Sequence, residues 1–284
     1  MISNRPLFGP GGNSEDFNAL YKGKTLYAPA FVKSIGLDAY EYEAGQGIHA
    51  SEEMLRAIGR EAVAHGVHMS FHTPYFISLS STEEQKRINS VRYIADSLYA
   101  AHCLGASTIV VHTGSAGKIS RSDAMALAAD TLAMALEQLD FYGVSLGLET
   151  MGKQNQLGTL EEVLTLCAMD RRLVPVVDFG HLNARDCGGV FPDADSYRRV
   201  FDRIAEAKGD EVARHLHCHF SRIEYTDKGE KRHHTFAQTQ WGPEYEPLME
   251  AIAKEGLCPT VISESAGTQS ADALTMKKHY LSLL

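Results

Sequence analysis

The sequence predicts an α/β protein of the (β/α)8 barrel class, and three observations support this fold. Short apolar or β-branched segments alternate with amphipathic helical segments eight times along the 284 residues. Glycines close several helical segments shortly before the next strand. The length suits an α/β barrel, which commonly occupies about 250 residues as one domain. Because no linker or low-complexity stretch interrupts this pattern, we expect residues 1–284 to form a single domain.

The predicted strands are short and regularly spaced. They are placed at Pro6–Gly9, Ala39–Glu43, His68–His72, Thr108–His112, Ser145–Glu149, Val174–Asp178, His215–His219 and Thr260–Glu264. A doubly wound open sheet is the competing fold, but it usually carries a GxGxxG fingerprint after its first strand. The corresponding segment here, LFGPGGN, does not match that fingerprint, which favours the barrel.

Helix boundaries are also readable from the sequence. The capping-box pattern predicts helix starts at Ser81, with Glu84, and at Thr159, with Glu162. The longest predicted helix connects strands three and four and is expected to bury the face formed by Ile88, Val91, Ala95 and Leu98. Helix ends are predicted near Gly66, Gly105, Gly143 and Gly256.

Composition limits the class of protein. Hydrophobic residues make up 44% of the chain, which is enough for a full core, and no apolar run approaches a membrane span. The formal net charge of −9 is unexpected for a protein that grips nucleic acid through a basic surface. Five cysteines without CxxC pairing, and a first segment without signal-peptide features, lead us to expect a cytoplasmic protein with free thiols.

Histidines and acids occupy the ends of the predicted strands, or lie just beyond them. Because the carboxyl ends of barrel strands converge on one mouth, we expect these side chains to gather there. Buried carboxylates require partners, and only a few cations lie nearby in the sequence. The sequence therefore predicts a metal site of mixed imidazole and carboxylate ligands, suited to zinc, manganese or iron. The predicted ligands are His72, His112, Glu149, Asp178, His181, His219, His233 and Glu264.

One strand offers several candidate ligands. His215, His217 and His219 alternate along the seventh predicted strand, so all three are expected to face the barrel interior. His219 lies nearest the mouth and is favoured as the ligand, with His217 as the alternative.

Seven short motifs, FHTPY, VHTGS, LET, VDFGH, HFSR, RHHTF and SES, follow one another between Phe71 and Ser265. In this order the chain resembles the endonuclease IV family, zinc-dependent apurinic/apyrimidinic endonucleases with a TIM barrel fold. The resemblance implies two or three zinc ions in three sets of ligands. Glu149 would bridge two ions, His72 and His112 completing the first set. Asp178, His219 and Glu264 would complete the second set, while His181 and His233 would belong to the third.

The resemblance also implies an activity. The family hydrolyses the phosphodiester 5′ to an abasic site in duplex DNA through a metal-bridged water, and Glu264 would orient that water. Glu149 and Glu264 are thus the implied catalytic residues. Tyr75 and Phe76 stand where the family places side chains that enter the DNA near the lesion, so both are predicted to bind substrate.

Two features depart from the family pattern. The third set of ligands uses an Asp-x-His pair, whereas this chain has Lys231 at the matching position, and an ammonium group cannot bind a cation. Either the third ion is absent, or Glu230, Asp227 or His234 replaces the missing acid. The loop after the second strand, EAGQGIHAS, also contains no Lys or Arg where the family presents an arginine to DNA.

Two alternatives remain from the sequence. A sugar isomerase or epimerase of the xylose isomerase-like superfamily would hold one divalent ion with Glu149, Asp178, His219 and Glu264, and the two glutamates would transfer a proton on a small sugar. A barrel without activity is the second alternative, supported only by Lys231. Four further histidines, at positions 72, 112, 181 and 233, have no role in a one-ion site and therefore favour the nuclease.

Overall fold

Ten strands are found in the computed structural model, which describes residues 3–117 and 119–284. Eight are parallel and form one sheet in the order β1-β10-β7-β6-β5-β4-β3-β2, while β8 and β9 form an antiparallel hairpin. The strands are β1 (Leu7–Pro10), β2 (Ala39–Glu43), β3 (His68–His72), β4 (Thr108–His112), β5 (Ser145–Glu149), β6 (Leu173–Asp178), β7 (His217–Phe220), β8 (Arg222–Thr226), β9 (Gly229–His234) and β10 (Thr260–Ser263).

Helices alternate with the strands of the large sheet and cover its outer face. They are α1 (Glu15–Tyr21), α2 (Ala28–Ser34), α3 (Glu52–His65), α4 (Glu84–Leu104), α5 (Arg121–Gln138), α6 (Leu160–Cys167), α7 (Phe179–Arg185), α8 (Ala194–Lys208), α9 (Asp210–Arg214), α10 (Glu246–Glu255) and α11 (Gln269–Ser282), and a short 3-10 turn spans Thr25–Tyr27. The hydrophobic core lies between the strands and these helices. Within the described residues, no helix combines the length and the apolar character that crossing a membrane requires.

The sheet closes where β1 meets β2. The amide of Gly12 donates to the carbonyl of Glu41 at 2.9 Å, and Gly11 forms a parallel bridge with the same residue. A side chain at Gly9 would prevent this approach, because its Cβ would lie only 1.8 Å from the carbonyl oxygen of Ala39. The predicted (β/α)8 barrel is confirmed.

Four strands occupy the predicted residues, and the other four differ at their ends by one or two residues. The largest difference is at β7, where the predicted start at His215 is wrong. His215 instead caps the C-terminal end of α9, so the strand begins at His217. The β8–β9 hairpin was not predicted: Ile223 and Tyr225 alternate with polar residues in β8, but β9 contains no large apolar residue.

Of the two helix starts predicted from capping boxes, one is confirmed and one is wrong. Thr159 and Glu162 form the predicted capping box at the start of α6. The predicted box at Ser81 and Glu84 is wrong: α4 begins two residues later than expected, with Glu83 at its N-cap, and the Ser81 hydroxyl accepts a hydrogen bond from the amide of Glu83.

Helix ends follow the glycines closely. Gly66, Gly105 and Gly256 are left-handed caps directly after α3, α4 and α10, whereas Gly143 lies in a turn beyond the end of α5.

On α4, Val91 and Leu98 face the core as predicted, but Ile88 is 46% exposed. The buried stripe of α4 instead continues through Ile94.

Candidate metal centre

The predicted ligands converge at the carboxyl ends of the barrel strands. Their nitrogen and oxygen atoms form three adjoining groups, each compact enough to surround one cation. The groups are His72 with His112 and Glu149, then Glu149 with Asp178, His219 and Glu264, and finally His181 with Glu230 and His233. The first two share Glu149, and together the three include every metal ligand predicted from the sequence.

In the first group, two imidazoles face one carboxylate oxygen. Nε2 of His72 and Nε2 of His112 lie 3.5 and 3.3 Å from Oε2 of Glu149. That oxygen is buried and accepts no hydrogen bond from any residue in the described ranges. Two ligands of a tetrahedral zinc ion, each bonded at 2.0–2.1 Å, lie about 3.3 Å apart, so these spacings match metal ligation better than hydrogen bonding.

The second group is the more deeply buried. Nδ1 of His219 lies 3.0 Å from Oε1 of Glu149 and 3.1 Å from Oε1 of Glu264. Oδ1 of Asp178 accepts from the amide of His181, but its Oδ2 is buried without a hydrogen bond from any described residue. A buried carboxylate oxygen without a donor is costly, and a bound cation would remove that cost.

The third group contains an acid that the family pattern does not place there. Oε2 of Glu230 lies 3.6 Å from Nε2 of His181, and Oε1 of Glu230 lies 3.9 Å from Nε2 of His233. Lys231 does not enter the group, because it is the extra residue of a bulge in β9, opposite Glu224 and Tyr225. Its ammonium group instead pairs with Glu224.

The two other proposed replacements for the missing acid lie elsewhere. Asp227 is exposed at the turn of the hairpin. His234 contacts Glu224 at 3.1 Å rather than a member of the third group. Of the three alternatives, Glu230 is the residue that the structure brings to His181 and His233.

Hydrogen bonds fix the orientation of three of these imidazoles. Nδ1 of His72 donates to the carbonyl of Thr73 at 3.0 Å, and Nδ1 of His181 donates to the carbonyl of Thr150 at 2.9 Å. Nδ1 of His233 lies 2.8 Å from the hydroxyl of Ser221. Since a carbonyl can only accept, Nδ1 of His72 and of His181 carries a proton, and their Nε2 atoms face the ligand groups, the usual arrangement of metal-binding histidines.

The local charges shift several pKa values strongly. Burial lowers the pKa of His72, but the carboxylates of Glu43 and Glu149 outweigh it and raise that pKa to about 10. Burial, helped by the charges of Glu264 and Glu149, raises the pKa of Asp178 to about 7 against the opposing effect of His181. Protons and cations therefore compete for the same groups.

Permanent cations do little to balance these acids. The guanidinium of Arg185 donates to backbone carbonyls, including those of Met151 and Lys153. Arg222 forms an ion pair with Glu244. Lys153 is the lysine that lines the cavity of about 390 Å³ above the three groups. The donor set and its buried, donor-free oxygens thus fit divalent metal ions.

The two aromatic residues predicted to bind substrate line different cavities. The ring of Tyr75 lies 5.7 Å from both the His72 and the His112 rings and lines the cavity at the mouth. The ring of Phe76 packs against Tyr93 at 4.6 Å and lines a separate cavity between α3 and α4. Of the two, Tyr75 therefore lies beside the first ligand group, and Phe76 does not line the cavity at the mouth.

Sequence reasoning missed two acids on β2. Glu41 is fully buried below the second group and contacts both His217 and His219 at 2.8 Å. Oε2 of Glu43 lies 4.0 Å from Nδ1 of His72. A sequence pattern could have identified both acids, since the predicted strand AYEYE carries Glu at alternate positions, which places both side chains on one face of the strand. Of the two candidate histidines on β7, His219 reaches the mouth, whereas His217 lies one layer deeper.

Comparisons with known proteins agree with this architecture. An uncharacterized protein of Methanocaldococcus jannaschii is 28% identical over 248 residues, 87% of this chain and 88% of its own. A probable endonuclease 4 of Acholeplasma laidlawii is 29% identical over 141 residues, 48% of each chain.

Two solved structures cover nearly the whole chain. Endonuclease IV from Thermus thermophilus has a TM-score of 0.69 at 21% identity, covering 98% of this chain and 100% of that one. A D-tagatose 3-epimerase-like protein has a TM-score of 0.71 at 19% identity, covering 98% and 97%. Both likenesses show the fold. The family model described as xylose isomerase-like TIM barrel matches residues 29–279, and the chain therefore belongs to that family.

Proposed function

We propose that this protein is a metal-dependent phosphodiesterase that hydrolyses the phosphodiester 5′ to abasic sites in DNA. The observation that carries the proposal is the presence of three adjoining ligand groups where a one-ion enzyme needs only one. The first and third groups add four histidines to the set of Glu149, Asp178, His219 and Glu264. Phosphodiester hydrolysis uses several ions, because charge develops on both the attacking and the leaving oxygen.

The residues of the mouth have distinct roles in this proposal. When bound, divalent ions supply Lewis acidity to the phosphate and to the attacking water. Glu264 orients that water: its carboxylate is exposed toward the cavity, and the nearby His219 outweighs burial and lowers the pKa of Glu264, which keeps it ionised. Lys153 lines the same cavity and offers a positive charge to a phosphate oxygen. The Tyr75 ring, 57% exposed, forms a wall against the deoxyribose.

Relatives support both this activity and a second one. One curated relative carries the name of a probable endonuclease, and solved structures of similar fold include an endonuclease IV and an epimerase-like protein. The second candidate is a sugar epimerase that uses only the second group. Its specific support is that Glu149 and Glu264 both contact His219 and flank one position, as a pair of proton-transferring acids would.

A direct comparison of the two reactions tests the proposal. Protein reconstituted with zinc or manganese is incubated with a duplex oligonucleotide that carries one tetrahydrofuran abasic analogue, which resists cleavage by elimination. We expect a single nick that leaves a 3′-hydroxyl, and no nick in the undamaged duplex. Parallel samples receive a panel of ketoses, and epimers are separated by chromatography. Epimerisation without nicking would reject the phosphodiesterase in favour of the second candidate.

A matched variant excludes contaminating nucleases. Glu264→Gln keeps the size of the side chain but removes the charge that orients the water, and we expect at least a roughly 100-fold loss of nicking. When the variant is purified by the same procedure, its nicking rate should not exceed this reduced value. If the variant nicks as fast as the wild type, either the activity is foreign or Glu264 has no catalytic role.

A further inference from the structure

A polar cluster lies in the barrel interior directly beneath the second ligand group. It consists of Glu41 on β2, Ser70 on β3 and His217 on β7, and the residues are 0%, 1% and 7% exposed. The interior of such barrels is normally filled by bulky apolar side chains arranged in layers. A carboxylate placed there has a large desolvation cost unless its partners offset it. The cluster therefore needs an explanation beyond filling space.

The two oxygens of Glu41 face different partners. Oε2 accepts a hydrogen bond from Ser70 at 2.7 Å and contacts Nε2 of His217 at 2.8 Å. Oε1 lies 2.8 Å from Nε2 of His219, at ion-pair distance, and both atoms are buried without a hydrogen-bond partner among the described residues. Ser70 and His217 thus fix the carboxylate so that its remaining oxygen faces the ring of His219.

This contact would favour Nδ1 as the nitrogen of His219 that faces the metal centre. An imidazole that holds a proton on Nε2 offers its lone pair on Nδ1. Nδ1 of His219 is the atom that lies 3.0 Å from Glu149 and 3.1 Å from Glu264. In the other groups, His72, His112 and His181 face the carboxylate of their own group with Nε2. Nδ1 of His181 also lies 3.4 Å from Asp178 and 3.5 Å from Glu149, which belong to the second group. His219, by contrast, faces the carboxylates of its own group with Nδ1, while its Nε2 contacts Glu41 below.

We propose that Glu41, held by Ser70 and His217, is a positioning residue that orients His219 so that Nδ1 binds the ion of the second group. This proposal rests on the metal centre of the proposed function but not on its DNA substrate. Carboxylates that hold a metal-binding histidine raise its basicity and fix its ring, and replacing them typically costs about 10–100-fold in metal affinity. Because only the second group contains His219, we expect the loss to affect one ion of the centre.

Metal binding by the whole protein tests the inference without an activity assay. Wild type and Glu41→Gln, which is isosteric but uncharged, are freed of metal and titrated with Co²⁺ and Zn²⁺ against a chelating indicator. Thr131→Val is the matched control: Thr131 is equally buried, but its hydroxyl donates to the Leu79 carbonyl at 2.7 Å outside the ligand groups. We expect an affinity about 10–100-fold weaker for one equivalent, with an altered Co²⁺ absorption spectrum, in Glu41→Gln alone.

The possible results separate this inference from the proposed function. Equal affinities and spectra in wild type and Glu41→Gln, with only a lower melting temperature, would show a purely structural cluster and overturn the inference. Should Glu41→Gln fail to fold, His217→Gln must show the same selective loss, and an unchanged affinity there overturns it equally. Wild-type protein that binds metal but leaves abasic DNA intact would reject the proposed substrate and leave the positioning role standing. Wild-type protein that binds no metal overturns both.

Discussion

Replacing Glu230 with alanine tests whether this residue completes the third ligand group. Glu230 is 13% exposed at its side chain and lies 3.6 Å from His181 and 3.9 Å from His233, so the variant leaves that group with two imidazoles. We expect the number of tightly bound ions to fall from three to two per chain. Loss of a charged ligand should weaken the third ion by roughly 100-fold or more, which corresponds to about 2.7 kcal/mol or more.

Lys231→Ala is the matched control for this experiment, because it changes the adjacent residue without touching the group. The Lys231 side chain is 54% exposed and pairs with Glu224, which also contacts Arg232 and His234. An exposed pair of this kind contributes about 0.2–1 kcal/mol to stability. We therefore expect Lys231→Ala to bind three ions and to unfold within about 1 kcal/mol of wild type.

Elemental analysis after dialysis against a weak chelator measures the ion count directly. Two results would refute the reasoning. In one, Glu230→Ala retains the same number of ions as wild type, so that the acid of the hairpin plays no part in binding. In the other, Lys231→Ala changes the count, so that the bulge does not hold the lysine away from the centre. Lys231→Asp should likewise add no ion, because its side chain would face Glu224 rather than His233.

Further predictions concern the barrel and its titration. Gly9→Ala should destabilise the protein by about 2–4 kcal/mol in chemical denaturation, because its Cβ would lie 1.8 Å from the Ala39 carbonyl and force the closing strands apart; a loss below about 1 kcal/mol would contradict this. Glu162→Gln should cost about 1–3 kcal/mol at pH 7. Burial raises the pKa of Glu162, but Arg121 and two amides outweigh it and lower the pKa from 4.5 to about 2, so the difference from wild type should disappear as the pH falls through that range. Apparent metal affinity should rise with pH, measured by competition titration from about pH 6 to 9, since the ion displaces a proton from His72, whose pKa is about 10; a flat profile would show that this imidazole is not a ligand.

The sequence was sufficient for the barrel because its signal repeats. Each βα unit carries its own apolar strand and its own helix end, so an error at one unit, such as the start of β7, leaves the remaining strands in place. Strand ends also give the position of a side chain along the barrel axis. That is why the sequence alone assigns His72, His112, Glu149, Asp178 and His219 to one mouth.

The features that cannot be predicted from the sequence depend on contacts between distant residues and on strand register. Alternation shows that Glu41 points into the barrel, but its partner His217 lies 176 residues away on a strand that is not adjacent. The role of Glu230 depends on a bulge, and a bulge is defined only by the register of β8 against β9. Motif spacing alone therefore points to Lys231, whereas the acid that lies in the third ligand group is its neighbour Glu230.

The acidic composition of the chain does not oppose a phosphate substrate at this mouth. The three ligand groups contain four carboxylates, from Glu149, Asp178, Glu230 and Glu264, whose charge three divalent ions would more than balance. Glu43 adds little negative charge at pH 7, because burial, with the charges of Glu41 and Glu264, raises its pKa to about 8. The net charge of −9 is summed over the whole chain and includes these carboxylates, whereas a phosphate in the metal-loaded cavity would meet the ions and Lys153. Attraction of the substrate should consequently depend on metal loading, so that metal-free protein fails to bind abasic DNA even where its fold is intact.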